Sequence, residues 1–359
     1  MITAKFGGTA VTPANLKFIK QCVTDSHGVV VVSAIGKEHS ADTKVTDLLA
    51  QYYQTQNETF WNAVEDKYRR LAEVNGIDVD VDRLLKSAHD RALKYNLDYC
   101  LSLGEELAAK IVAKFLNATY IEAADIVRFG KRRLLYKDTV KSISARLDGV
   151  QLAVIGGFYG STVESRKVFT RGGGDVTGSL AACATDSSLY ENWTDVYGVC
   201  AANPVRAFDV ATVPTISYSE MFVLSKSGAE VLHPDAVRPC RDKAIPIRIG
   251  NFYNPDGDST LVSNCSSNMT VLSLAEKTDL RGRTVTTLLH NLPVSDVARA
   301  LWQFFSLNTR FETALGKRYC VCDVSPIRFT CEGAVVRIVT KKSILCPLYK
   351  FLKSANYLT

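Results

Sequence analysis

The chain has 359 residues, with 43 Lys and Arg against 37 Asp and Glu and a formal net charge of +6. Its length suits a large α/β domain with a smaller companion, and a 47 % hydrophobic, 22 % charged composition excludes a disordered chain. The charge is spread thinly: the longest basic cluster, Gly130 to Arg133, is too short for a nucleic-acid arm, whereas a mild positive excess draws in anions such as nucleotides.

Taken in chain order, the first signal is Ala4-Lys5-Phe6-Gly7-Gly8-Thr9. A strand lysine followed by two glycines can bring an ammonium and backbone N–H groups onto phosphate oxygens; an ordinary turn before a helix is the alternative. Thr12 is a candidate N-cap, with Pro13 first in a helix over residues 13–20. Val29 to Ala34 is a near-continuous apolar run, the mark of a strand buried on both faces of a parallel sheet. It ends at Ser33-Ala34-Ile35-Gly36-Lys37, a strand end with donors for a substrate oxyanion. Thr43 to Tyr95 reads as a polar, helix-rich insertion. Gly104 to Leu116 carries an apolar stripe of Leu107, Ile111 and Phe115 that needs a sheet to cover it.

Gln151 to Gly157 predicts a second buried strand, followed by Gly156-Gly157-Phe158-Tyr159-Gly160, whose glycines permit close backbone approach to a ligand. Thr170-Arg171-Gly172-Gly173-Gly174-Asp175-Val176-Thr177-Gly178 is the richest segment. A helix opening on three glycines offers free N–H groups to an anion, an arginine can pair with a carboxylate, and Asp175 can orient a lysine or cap the helix. Leu189 to Thr194 and Ile245 to Ile249 are further strands. The alternation predicts an α/β fold, a three-layer αβα arrangement with a mostly parallel sheet. The chain holds neither a Walker loop nor a dinucleotide fingerprint.

Composition changes after Gly257 to Thr260, and Ser263 to Asn268 reads as a linker. Beyond it, strands at Val271 to Leu274, Arg283 to Leu289, Arg318 to Val324 and Gly333 to Thr340 surround a helix from Val294 to Phe305, which predicts a small α+β domain. The ten cysteines form no paired CxxC, and Cys320 and Cys322 share one face of a strand. With no apolar run near the ~20 residues of a membrane span and no signal peptide after Met1, a reduced, cytoplasmic protein with free thiols is expected.

Together these segments resemble the aspartate kinases of the amino acid kinase family. Lys5 to Thr9 resembles that family's KFGGT, Val31 to Lys37 its VVSAxGK strand end, and Ser102-Leu103-Gly104-Glu105 its S-x-G-E turn. Asp42 to Leu49 resembles a segment of a clostridial-type subgroup. Arg171 to Gly178 is similar to RGGSDxTG, Tyr190 to Gly198 to YENWTDVxG, and Gly228 to Ala236 to GAxVLHxxA. The resemblance spans residues 1 to 262, with the motifs in order. It implies a catalytic domain over 1–264 and an ACT-like regulatory and dimerisation domain over 269–359.

The resemblance also implies ATP with Mg2+ as cofactors, L-aspartate as acceptor and 4-phospho-L-aspartate as product. Lys5 would hold the transferring phosphate and Gly7 and Gly8 would donate to it, with Asp175 ordering Lys5. Ser33 and Thr46 would lie on the substrate side, with Glu105 at the α-amino group and Arg171 at the α-carboxylate. Thr194, Asp195 and Arg206 would line the nucleotide, and no protein cage for a metal is implied. His233, at a helix start, is expected to cap rather than catalyse.

Departures from the family pattern are Gly174 for its usual serine, Cys200 for an aromatic, Asn203 for an acid, and Val205, which displaces the arginine to Arg206. Two alternatives follow: a kinase of the same fold for another acidic amino acid, or a non-catalytic amino-acid-binding subunit. A homodimer through the C-terminal domain is expected, with neither nucleic acid nor membrane as partner.

Overall fold

The computed structural model describes residues 1–131, 133–202, 210–229, 231–265, 271–280, 282, 284–290, 294–307, 310–314, 317–321, 328–332, 335–340 and 344–354. The chain opens with β1 (Ile2–Phe6), a 3₁₀ turn (Gly8–Val11), α1 (Leu16–Cys22) and β2 (His27–Val32). A helical block follows: α2 (Val45–Thr55), α3 (Glu58–Val74), α4 (Val81–Ala92) and the long α5 (Leu97–Phe115). Next come β3 (Thr119–Ile121), α6 (Ala123–Ile126), α7 (Tyr136–Leu147), β4 (Ala153–Gly156) and a hairpin of β5 (Tyr159–Ser161) and β6 (Arg166–Val168). After α8 (Gly173–Ala184) and β7 (Leu189–Thr194) stand β8 (Thr215–Ser217), α9 (Tyr218–Lys226), α10 (Pro234–Asp242), β9 (Ile247–Asn251) and β10 (Ser259–Ser263). The C-terminal stretch holds β11 (Val271–Thr278), β12 (Thr284–His290), α11 (Val294–Leu307), β13 (Arg310–Ala314), β14 (Lys317–Val321), β15 (Arg328–Glu332), β16 (Val335–Thr340) and α12 (Leu345–Ser354).

The backbone divides into two compact units, Met1–Val196 with Asp235–Gly257, and Tyr197–Pro234 with Asp258–Thr359. In the first unit the strands lie in the order β3-β4-β2-β1-β7-β9, and each neighbouring pair is parallel. The register aligns Phe6 with both Val32 and Trp193, and Val32 with Gly156, so β1, β2, β4 and β7 end level. The chain builds outward from β1 to β2 and β4, then returns to the other side of β1 with β7. That reversal is a topological switch point, where open parallel sheets bind ligands beyond the carboxyl ends of their strands.

Strand alternation sorts the side chains into two layers. Ala4, Phe6, Val30, Val32, Val154 and Trp193 join the core beneath α2, α3 and α5. Lys5 and Thr3 belong to the opposite face. There Thr3 Oγ1 lies 2.9 Å from Ser187 Oγ just beyond α8, and α8 packs on β1, β2 and β7. The expected three-layer α/β fold is borne out.

Local departures from the expected elements have physical causes. The Thr12 hydroxyl turns back to donate to the Thr9 carbonyl instead of capping a helix, so α1 starts at Leu16, after a turn closed by the Asn15 N–H on Thr12 O at 3.0 Å. Ser102 to Glu105, expected as a turn, lies inside α5. Gly104 is there because a Cβ would stand only 3.0 Å from Ala34 Cβ and Val45 Cγ1. The glycines after β4 admit protein backbone rather than a ligand: a Cβ on Gly160 would stand 2.3 Å from the Val127 carbonyl oxygen. Gly172 has φ +63° and is the N-cap of α8; Asp175 sits in the first turn and does not cap.

In the second unit β8 and β10 pair in parallel, with α9 against them. Strands β11-β12-β16-β15 form an antiparallel sheet. Its core gathers Leu274, Leu288, Val336 and Ile338 with Val297, Leu301 and Phe304 of α11 and Leu345, Leu348 and Leu352 of α12. The sequence reading had no counterpart for β13, β15 or α12. Cys322 lies outside the described residues.

The loops after β1 and β2 cross at Gly8 and Gly36, where the Gly36 N–H donates to Gly8 O at 2.9 Å. A Cβ on Gly36 would stand 2.5 Å from the Gly8 carbonyl carbon. Gly36→Ala is therefore expected to destabilise the protein by roughly 1–3 kcal/mol, read as a lower urea midpoint; an unchanged midpoint would contradict this close approach.

Candidate active site

Four strand ends and one helix start converge on the carboxyl edge of the parallel sheet. Lys5, on the α8 face of β1, reaches Asp175 in the first turn of α8, with Nζ 2.6 Å from Oδ1 and both side chains 13 % exposed. Asn192, the β7 residue paired with Lys5, completes the group. Its Oδ1 accepts from Lys5 Nζ at 3.3 Å, and its Nδ2 donates to the same Asp175 oxygen at 3.3 Å. Asn192 is fully buried, so it fixes the lysine–aspartate pair from below. Sequence reasoning missed Asn192, whose only signal was its place in register with Lys5.

Gly174 lies beside this pair. A Cβ there would be in ordinary contact, 3.4 Å from both Lys5 Cε and Ser33 Oγ, which brings Ser33 to the same spot. The Gly7 N–H makes a long 3.4 Å bond to Trp193 O, and Gly8 is held by the Gly36 crossing. The first-turn N–H groups of α8 have no carbonyl within the helix to bond, and its dipole puts partial positive charge there.

Glu105, on α5, is buried beneath the Ser33–Ala34 strand end, and its Oε2 has no hydrogen-bond partner. Burial pushes its carboxyl up to about 8, although N–H groups of Ala34 and of Glu105 itself oppose the shift. A buried acceptor with no partner is costly unless a cation or donor comes to it. Thr46 is half-buried in the first turn of α2, next to Val45, which packs on Gly104. Asp42, also missed from sequence, organises the loop before α2. It accepts from the N–H groups of Glu38 at 2.9 Å and Thr43 at 2.7 Å and from Lys67 Nζ at 2.7 Å. Its carboxyl lies below the usual range: burial raises it, and the Lys67 contact and these N–H groups outweigh burial.

Arg171 is exposed between β6 and α8 and pairs with no carboxylate among the described residues. At the end of β7, Thr194 Oγ1 donates to Asp195 Oδ1 at 3.2 Å, and Asn251 holds the Asp195 carbonyl at 3.4 Å. Arg206, Asn203 and Val205 lie outside the described residues. Cys200 is half-buried, its carbonyl accepting from Ser273 Oγ at 2.8 Å. His233 directly precedes α10. No three acidic, imidazole or thiol groups converge to hold a metal among the described residues.

The pattern of the amino acid kinase family matches residues 1–251. Aspartokinase 3 of Bacillus subtilis is 30 % identical over 330 residues, covering 84 % of this chain and 72 % of the relative. The chain belongs to the amino acid kinase family, among the aspartokinases. Chloroplastic aspartokinase 2 of Arabidopsis thaliana is 26 % identical over 291 residues, which span 72 % of this chain and 54 % of that protein. Among solved structures, the aspartate kinase of Clostridium acetobutylicum superposes with a TM-score of 0.73 at 28 % identity, over 99 % of this chain and 82 % of that one. Escherichia coli aspartokinase III, in complex with aspartate and ADP, superposes with a TM-score of 0.69 at 21 % identity, over 100 % and 84 % of the two chains. The family expected from the ordered motifs is borne out.

The buried Glu105 carries a pH signature. Its folded value lies above the ordinary carboxyl value of 4.5, so the folded state binds the extra proton and loses stability as pH rises from that value through about 8. Glu105→Gln removes this loss. The Tm of the variant relative to the wild type is expected to rise between pH 5 and pH 8; a pH-independent difference would contradict the assignment.

Proposed function

We propose that this chain is an aspartate kinase, transferring the γ-phosphate of ATP to the side-chain carboxylate of L-aspartate to give 4-phospho-L-aspartate. The product opens the routes to lysine, threonine and methionine. The observation that carries the reading is the Lys5–Asp175–Asn192 cluster at the start of α8. The partnerless Oε2 of the buried Glu105 carboxyl, on α5 beneath the Ser33–Ala34 strand end, supports it. One end suits a phosphate and the other suits an ammonium. The aspartokinase relatives support the choice of acceptor.

In this reading the aspartate side chain, ionised at neutral pH, attacks the γ-phosphorus directly. A carboxylate oxygen–phosphorus bond forms, the bond to the β,γ-bridging oxygen breaks, and ADP leaves with that electron pair. No base is needed, so catalysis is positioning and charge neutralisation. Lys5 meets the transferring phosphoryl oxygens, and Asp175 and Asn192 hold its ammonium in place. The N–H groups of Gly8 and of the first turn of α8 donate to the same charge, with Gly7 beside them. Glu105 receives the substrate ammonium, Arg171 swings onto the α-carboxylate, and Ser33 and Thr46 border the amino acid. Thr194 and Asp195 line the nucleotide, whose counter-ion is magnesium.

One observation favours a second reading. The missing side chain at Gly174, where a Cβ would just touch Lys5 and Ser33, leaves about that much extra space beside them, which would admit another acidic amino acid. A hydroxamate assay with ATP, magnesium and a panel of acidic amino acids decides. Turnover is expected with aspartate; folded protein that turns over none of the panel would refute both readings. Lys5→Ala is expected to lower kcat by about 10²-fold or more while aspartate binding, by calorimetry, stays within about twofold; wild-type rates would refute the role of Lys5.

We further assign residues 269–359 as an ACT-like regulatory and dimerisation domain, on what the family resemblance of residues 1–262 implies for the region after it and on the antiparallel β11-β12-β16-β15 sheet with its two helices. Sedimentation of the full chain is expected to give a dimer, and a monomer at micromolar concentration would refute the dimerising role. Among the described residues no helix is long and apolar enough to cross a membrane, and a cytoplasmic location is part of this proposal.

A further inference from the structure

Two adjacent acids on α5 have opposite surroundings. Glu105 faces the site with a partnerless oxygen, whereas Glu106, its side chain 1 % exposed, is enclosed by cations. Arg91 donates to both Glu106 oxygens, at 2.9 and 3.1 Å, Arg166 donates at 2.6 Å, and Lys110 makes a further contact. Burial raises the Glu106 carboxyl, but the Arg91 hydrogen bond and the charges of Arg166, Lys110 and Arg91 win and hold it down to about 2.

Arg166 differs from the other two cations because it lies on the hairpin, in β6. Its guanidinium spans three elements. Nη1 donates to Glu106 and, at 3.1 Å, to Ser102 Oγ, both on α5. Nη2 donates to Glu122 at 2.8 Å, ahead of α6. The flat cation lies 4.6 Å from the ring centre of Tyr99 and 5.0 Å from that of Tyr159 in β5. Tyr159 is fully buried and donates to Glu122 at 2.8 Å. The hairpin base is closed by the Phe169 N–H on Phe158 O at 2.8 Å, and the chain then runs directly into Arg171 and the glycines that open α8.

We propose that Arg166 is a positioning residue for the amino-acid half of the site, a bridge that sets both the facing of Glu105 on α5 and the place at which the hairpin delivers Arg171. Successive helix residues point about 100° apart, so clamping Glu106 fixes the direction of Glu105. The same guanidinium holds the hairpin, so one side chain couples the residues that would grip the two ends of the amino acid backbone. The kinetic arm rests on the aspartate kinase reading; the structural arm does not.

The test compares Arg166→Met with Arg91→Met, which also removes a cation from Glu106 but whose hydrogen bonds, ion pair and ring contact go to Ser87, Tyr99 and Glu106 rather than to the hairpin. Arg166→Met is expected to raise KM for aspartate about tenfold or more with KM for ATP within about twofold, and Arg166→Lys is expected to recover part of the loss. Amide hydrogen exchange, read without turnover, is expected to speed up about tenfold or more over residues 158–175 in Arg166→Met but not in Arg91→Met, with β1 and β2 unchanged in both. Equal effects of the two variants, parallel changes in both KM values, or unchanged exchange over 158–175 would overturn the proposal. If Arg166→Met fails to accumulate, Glu122→Gln cuts the other arm of the bridge and is expected to accelerate exchange in the same segment; no change there would count equally against it. Absence of wild-type turnover with aspartate would sink the proposed function, while the exchange result would still decide the role of Arg166.

Discussion

The parallel register around β1 is the constraint on which the rest depends. Because Phe6 is level with Val32 and with Trp193, and Val32 with Gly156, every loop that carries chemistry leaves the sheet at one height. The period of two then assigns each strand residue to a layer. Lys5 faces α8 and meets Asp175, while its neighbours Ala4 and Phe6 face the α5 core. A slip of one residue would bury the lysine among apolar side chains and leave Asp175 without its ammonium. The phosphate end of the site is thus a product of sheet geometry before it is a product of local loop chemistry.

The amino-acid end is built differently, from a helix and an ion network. Glu105 and Glu106 have the same chemistry and consecutive positions, yet burial without a cation raises one and burial among cations lowers the other. Removing one cation from a buried carboxylate costs far more than a surface pair is worth, so the Glu106 cluster is stiff for the same reason that it is expensive to assemble. That stiffness suits a scaffold which must hold a carboxyl with one unpartnered oxygen ready beside it.

Legibility from sequence followed the same division. Strand cores such as Val29 to Val32 and Ala153 to Ile155 could be read because a buried parallel strand is written as a continuous apolar run. The Lys5 and Asp175 pair was visible as motif, since glycines mark the turns that surround it. Asn192 was not, because its role comes from register across two strands distant in sequence. Arg166 was invisible for a related reason: its partners on α5 and ahead of α6 lie 44 to 64 residues away. The start of α1 was misplaced because Thr12 and Pro13 carry good capping chemistry, and only the backward bond of Thr12 to Thr9 shows that it is spent elsewhere. Gly104 was read as part of a turn, although its missing side chain serves helix packing against Ala34 and Val45.

The chain path has a consequence for how the molecule is made. The first compact unit is left at Val196 and completed only by Asp235–Gly257, which supplies β9 against β7 and buries Ile247, Ile249 and Phe252. Until that return segment leaves the ribosome, β7 has an unpaired outer edge, and an exposed strand edge invites pairing with another chain. Translation therefore passes through an interval in which β7, with Asn192 on it, is present but bare on one side. Synthesis of the intervening Tyr197–Pro234 stretch sets how long that aggregation-prone interval lasts.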